Sequence, residues 1–146
     1  MRGCASTARF VTDEFTDLPN WHDLYVDFYN LKVCDEHPAE WGRDATLWQK
    51  PFGHVQLTNS RIVLARWSTI SDPFHRTIRH SEAEHDFWLL YATDDVENRF
   101  LLIDLFGPRA HVDPAFQAYI RALDHQIVGP WISGRDYFEP PEDYER

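Results

Sequence analysis

Two apolar runs of strand length, Phe87-Trp88-Leu89-Leu90-Tyr91-Ala92 and Phe100-Leu101-Leu102-Ile103-Asp104-Leu105-Phe106, flank the polar stretch Asp94-Asp95-Val96-Glu97-Asn98. A strand that alternates apolar and polar residues can keep one face in water, whereas one that is apolar at nearly every position cannot. The two runs are therefore expected to pair as a hairpin in the middle of a sheet, covered on both faces. Such a hairpin needs apolar surface from elsewhere in the chain, and two segments offer it. Trp21, Leu24, Tyr25, Phe28 and Leu31 keep helical spacing, which predicts a helix over residues 19–33 with Pro19 in its first turn and Asp17 or Asn20 as its cap. Phe116, Tyr119, Ile120, Leu123 and Ile127 repeat the pattern behind Asp113 as N-cap and Pro114, and Gly129-Pro130 is expected to end that second helix.

The remaining segments are less periodic. Ser6 to Val11 reads as a short edge strand, and residues 35–51 as a structured connection with one helical turn. Val55 and Leu57 alternate with Gln56 and Thr58, Asn59-Ser60 suits a two-residue turn, and Arg61 to Trp67 is rich in branched residues, so a further hairpin is expected there. Strands segregated from helices give an α+β reading: an antiparallel sheet of about four to five strands with an N-terminal helix and a C-terminal helix packed on it. Residues 1–132 are read as one domain and 133–146 as an acidic tail that packs through Tyr137 and Phe138, just after Trp131. At 146 residues and 43% hydrophobic content the chain can build a core without disulfides, so Cys4 and Cys34, which lack C-x-x-C spacing, are expected to be reduced thiols. No apolar run approaches the ~20 residues that cross a bilayer, and the N-terminus lacks a signal-like apolar stretch, so the cytoplasm is the expected location.

Strong chemical signatures are missing. The chain has no G-x-x-x-x-G-K-[ST], no G-x-G-x-x-G after a strand, no G-x-S-x-G and no H-E-x-x-H. His75, His80 and His85 are spaced five apart, which aligns ligands on neither a helix nor a strand face, so no metal and no cofactor are expected. Charge is more informative. Within a chain of net charge -10, residues 42–80 carry Arg43, Lys50, Arg61, Arg66, Arg76 and Arg79 against Asp44 and Asp72, a net of +4. One basic window in an acidic chain suggests a local anion-binding surface. Phosphodiester chemistry needs an oriented base, a proton donor and cations for the developing charge. Phe74-His75-Arg76-Thr77-Ile78-Arg79-His80, with His54, Arg66 and Arg43-Asp44, holds those residue types, and His111 stands between the last strand and the second helix where an anion could meet it. A salt-bridged hairpin would also explain the basic window.

These residues fall in a recognisable order. Asp27-Phe28, Trp41-Gly42-Arg43-Asp44-Ala45, His54-Val55-Gln56-Leu57, Phe87 to Tyr91, Phe100 to Ile103 and Pro108-Arg109-Ala110-His111 together resemble YafO-type toxins of bacterial toxin-antitoxin modules, within the RelE/ParE-like group. The Gly-Arg-Asp-Ala run and the Pro-x-x-His turn carry most of the likeness, which spans about two thirds of the chain, from Asp27 to about Ile127. The resemblance implies a RelE/ParE-like fold and a ribosome-dependent mRNA endonuclease that helps the ribose 2'-OH attack the next phosphate without a metal. It implies three partners: ribosome, mRNA and a separate cognate antitoxin protein. On that basis Arg43, Arg66, Arg76 and Arg79 are candidates for phosphate contacts, and His54, His80 and His111 for proton transfer, with Arg79 grouped with them at the catalytic centre. The chain departs from the family in its acidity and its tail. Two other readings stay open: a non-catalytic regulator or inhibitor that binds protein on the same fold, and a sugar-phosphate binder using Trp41, Trp48 and Trp67.

Overall fold

The computed structural model describes residues 8–139 and 141. The chain forms a five-stranded sheet between two helical layers, an α+β arrangement with five helices among the described residues. In chain order the elements are β1 (Ala8–Val11), α1 (Asp13–Thr16), α2 (Trp21–Val33), β2 (Asp44–Thr46), β3 (Phe52–Leu57) and α3 (Arg61–Trp67). Two 3₁₀ turns follow, Pro73–His75 and His80–His85, then β4 (Phe87–Asp94), β5 (Arg99–Phe106), α4 (Phe116–Leu123), a π-helical turn Asp124–Val128 and α5 (Gly129–Ile132). The strands lie side by side in the order β1-β5-β4-β3-β2.

The central hairpin is where the two apolar runs place it. β4 pairs with β5 antiparallel from Trp88 opposite Phe106 to Asp94 opposite Arg99, with an irregularity between Leu90 and Tyr91. Side chains alternate across the sheet, so Trp88, Leu90, Ala92, Leu101 and Ile103 join one core with Phe116, Ile120, Leu123 and Trp131. Leu89, Tyr91 and Leu102 join the other with Phe15, Leu24, Tyr25 and Phe28. Both expected helices exist and bury the expected stripes. The first begins at Trp21 after Asn20, whose side chain makes no capping bond.

Several expectations are corrected. The sheet is mixed, because β1 runs parallel to β5. The N–H of Thr12 donates to the Leu102 carbonyl (3.1 Å) and its hydroxyl to that of Ile103 (2.6 Å), so the end of β1 is stitched to β5 as the chain turns into α1. A parallel edge strand needs a long return path, and α1, α2 and the intervening loops supply it. Second, Arg61 to Trp67 is a helix. Ser60 accepts the Val63 N–H at its N-terminus, and Val63 and Trp67, four apart, are the buried residues, while Ile62 is 78% exposed. The branched residues suggested a strand, but the buried period is helical and the cap decides it. Third, the second helix passes Gly129-Pro130: the π turn widens the coil and Pro130 sits in the first turn of α5, where its missing N–H costs nothing. Fourth, Cys34, the C-cap of α2, is disulfide-bonded rather than a free thiol; sequence spacing says nothing of which thiols meet in space, and Cys4 lies outside the described residues.

The connection after α2 contains β2, which pairs with β3, rather than one helical turn. Of the tail, Phe138 packs against the α4 side of the core, whereas Tyr137 is exposed; residues 140 and 142–146 lie outside the described residues. No described helix is long and apolar enough to cross a membrane.

Replacing Ser60 by Ala removes the acceptor of the Val63 N–H and should destabilise the protein by about 1 kcal/mol, read as a lower urea midpoint at unchanged slope. An unchanged midpoint would return Arg61 to Trp67 to an uncapped segment.

Candidate functional site

The Gly-Arg-Asp-Ala run enters β2 along the edge of the sheet, and each of its residues has a separate job. Gly42 passes beneath Trp67: a Cβ there would lie 2.7 Å from the Trp67 ring and 2.7 Å from the Arg76 carbonyl. His37 holds the entry, its Nε2–H reaching the carbonyls of Trp41 (3.1 Å) and Gly42 (2.8 Å). Asp44 points to the α2 side of the sheet, where its carboxylate accepts from Lys32 Nζ (2.5 Å) and from the Tyr91 hydroxyl (2.6 Å). Burial, with the Asp44 charge beside it, pushes the Tyr91 hydroxyl far above its ordinary range. Asp44 is thus committed to locking α2 onto the sheet. Ala45 lies opposite His54 on β3, and its carbonyl accepts the His54 Nδ1–H at 3.1 Å.

That bond fixes the chemistry of His54. A carbonyl can only accept, so Nδ1 carries the proton and Nε2 keeps its lone pair. The ring packs 4.1 Å from Trp88, and the residue is 7% exposed. Burial lowers its pKa to about 4, against the Ala45 carbonyl and the Asp44 charge, which favour a proton; the charges of Arg43 and His111 push the same way as burial. His54 is neutral at physiological pH.

Trp88 also contacts His111, ring centroids 6.1 Å apart, and His111 in turn lies 6.0 Å from His80. Both are exposed. Three histidines from β3, from the turn after β5 and from the second 3₁₀ turn are therefore linked in sequence, His54 to Trp88, Trp88 to His111 and His111 to His80. The turn that carries His111 is held from below. Asp86, 1% exposed, accepts the His111 N–H on Oδ2 (2.9 Å), and its carbonyl accepts the Ala110 N–H (3.2 Å). Burial raises the Asp86 pKa, countered by the His111 N–H and charge and by Trp88. Gly107 enters this turn at φ 141°, and a Cβ there would lie 2.7 Å from the Asp86 carbonyl. Next to this series, Asp86 Oδ1, Trp88 Nε1 and Gln56 Oε1 are buried without an aligned hydrogen bond among the described residues.

The arginines divide into two pairs. Arg66 is consumed by a bidentate pair with Glu82 and by the Thr77 carbonyl (2.8 Å), and it holds the Glu82 carboxyl below its usual range. Arg76 donates to the carbonyls of Ile70 (3.0 Å), Ala39 (3.3 Å) and Trp41 (3.2 Å). Both staple irregular loops whose carbonyls have no strand or helix partner, a different use of their donors from the phosphate contacts expected of them. Arg43 and Arg79 remain. Arg43 donates from Nε to the Phe74 carbonyl (2.6 Å), and Arg79 is exposed, its charge helping Arg66 to hold the Glu82 carboxyl low. Asp86, Trp88 and Gln56 had no distinguishing signal in the sequence, since one carboxylate in the run Glu82-Ala83-Glu84-His85-Asp86 looks like another.

Among the described residues no group of three or more His, Cys, Asp or Glu is placed to hold a metal ion. Comparison of the chain with protein-family models, curated proteins and solved structures finds no match.

The buried neutral His54 makes stability depend on pH. Between its ordinary pKa of 6.5 and its folded value of about 4, the unfolded chain takes up a proton that the folded chain refuses. Stability from this group is therefore complete above pH 6.5 and falls as pH drops through that window, by on the order of 3 kcal/mol in all. His54→Asn, which can still donate to Ala45, should flatten the pH dependence of urea unfolding between pH 7 and 4. Parallel curves for the two proteins would show that His54 is not the group responsible.

Proposed function

We propose that this chain is a YafO-like endoribonuclease toxin that inhibits translation by cutting mRNA on the ribosome, held in check by a separate antitoxin protein. The observation that carries this reading is the series His54, Trp88, His111 and His80 in ring contact, with the charge of Arg43 felt at His54 and exposed Arg79 next to His80 in the chain. The resemblance in the Gly-Arg-Asp-Ala run and the Pro-x-x-His turn supports it, since those two segments supply Ala45, Arg43 and His111 to the same place. The α+β class, with α1 and α2 ahead of β2 to β5 and α4 after them, is compatible with this reading.

The chemistry follows from the protonation states. His54 Nε2 has a lone pair and no proton, so it can receive the proton of a ribose 2'-OH as the 2'-oxygen attacks phosphorus. The bond from phosphorus to the 5'-oxygen breaks, and that oxygen takes a proton from His80 or His111, leaving a 2',3'-cyclic phosphate and a 5'-hydroxyl. Arg79 and Arg43 face the charge that builds on the phosphoryl oxygens. No metal has a part in this sequence of proton transfers.

Induced expression without a partner should arrest growth, with new mRNA 5' ends in the arrested cells. His111→Ala and His80→Ala should lower the cleavage rate by ~10²-fold or more, and Arg79→Ala cleavage by about ten-fold, while circular dichroism stays unchanged. Arg66→Ala should instead lower stability. Unimpaired growth at confirmed soluble expression would overturn the toxin reading and favour a protein-binding regulator on this fold.

A further inference from the structure

Phe74 belongs to neither core, yet its backbone is held on both sides. Its N–H donates to Asp72 Oδ1 (3.0 Å) and its carbonyl accepts from Arg43 Nε (2.6 Å), while the turn around it is closed by His75 N–H to the Asp72 carbonyl (3.0 Å) and Arg76 N–H to the Pro73 carbonyl (3.0 Å). The ring itself stays 52% exposed. An isolated exposed apolar side chain is ordinary on a protein surface, as Ile62 and Val96 are here. Phe74 differs in what stacks on it. The Arg43 guanidinium lies 4.0 Å from the ring centroid, and Arg43 is itself anchored through its N–H to the Arg76 carbonyl (3.0 Å). Ring and guanidinium thus form one plate, and among the described residues the terminal nitrogens of Arg43 make no hydrogen bond.

Arg43 ties the plate to the strand that carries His54, where its charge is felt. Arg43 precedes β2 and is bonded across to Gln56 on β3, the Gln56 N–H donating to the Arg43 carbonyl (2.9 Å), and Gln56 is paired with Trp88. An exposed aromatic face, a cation fixed against it and a proton-transfer group on the neighbouring strand match the three parts of a nucleotide: base, phosphate and reacting ribose. We infer that Phe74 is the stacking platform for one unpaired RNA base next to the scissile phosphate, with Arg43 as the paired phosphate contact, so that the Arg43-Phe74 plate sets where along the strand the histidines act. This rests on the endoribonuclease reading and adds to it the residue that grips the base.

Stacking without edge-reading hydrogen bonds is tolerant of base identity, so the test removes a base rather than changing it. Short mRNAs carrying a single abasic nucleotide at each position around the cut are supplied to the full chain in a reconstituted translation mixture. The wild-type chain should lose about ten-fold in kcat/KM at one abasic position, mainly through KM. Phe74→Ala should lose about ten-fold on intact mRNA and nothing further at that position, while Phe74→Tyr should behave as wild type. Phe74→Leu, which keeps apolar bulk but not the aromatic face, should resemble Phe74→Ala and guards against a fold defect in the smaller variant. Full cleavage of intact mRNA by folded Phe74→Ala and Phe74→Leu, or penalties that simply add, would overturn the stacking role while leaving the endoribonuclease reading in place. A wild-type chain that cuts no mRNA in this mixture would remove both.

Discussion

Leu90 and Tyr91 are neighbours in the chain, yet one packs beneath α4 and the other beneath α2, because β4 lies between two helical layers with no face left for water. At roughly 25 cal/mol for each Å² of apolar surface removed from water, a strand buried on both sides is a large stabilising element and also a demanding one. It obliges the chain to place a helix on each face. It also obliges every polar group on those faces to find a partner inside the protein. The Lys32-Asp44-Tyr91 cluster answers that demand on the α2 side, with three groups that satisfy one another. On the α4 side the demand is met less completely. There His54 is kept neutral, Asp86 is turned toward a backbone N–H, and Gln56 Oε1 and Trp88 Nε1 have no aligned hydrogen bond among the described residues. Incomplete satisfaction on one face of an otherwise well-paired sheet is what sets the histidine series apart from the rest of the interior.

The basic window owes its composition to two different needs. The loops between α2 and β4 contain long irregular stretches whose carbonyls cannot be paired by strands or helices. Arginine, with five N–H donors on a stiff plane, can close several of them at once. Arg76 does this for Ile70, Ala39 and Trp41, and Arg66 for Thr77 and Glu82. Charge counted along the sequence cannot separate such staples from arginines offered to a ligand. The difference lies in whether a carbonyl or a carboxylate happens to be within reach. Two of the window's six cations, Arg66 and Arg76, are thus spent inside the protein.

Wherever burial repeated with a regular period, the sequence was legible. The two long helices, the central hairpin and the α+β class follow from patterns of apolar residues that any solvent-exposed chain would have to hide. His54, His80 and His111 were legible as residue types but not as neighbours: they are 26 and 31 residues apart along the chain, and only the folding of β3 beside β4, with the turn after β5 pinned by Asp86, makes them a group. Arg61 to Trp67 shows where composition misleads. Branched residues favour a strand locally, but a seven-residue segment is too short for propensity to outweigh a serine cap and two buried residues four apart.

By itself the sequence determined which surfaces must be buried, because hydrophobic periodicity is a local property that survives in any arrangement bringing those surfaces together. Tertiary structure alone decided the parallel direction of β1, the division of the arginines and the neutrality of His54. Each of these depends on a contact between segments far apart in the chain: β1 against β5, Arg66 against Glu82, His54 against Trp88 and the Ala45 carbonyl. Direction, hydrogen-bond partner and desolvation are properties of a place, and a place exists only once the chain has folded around it.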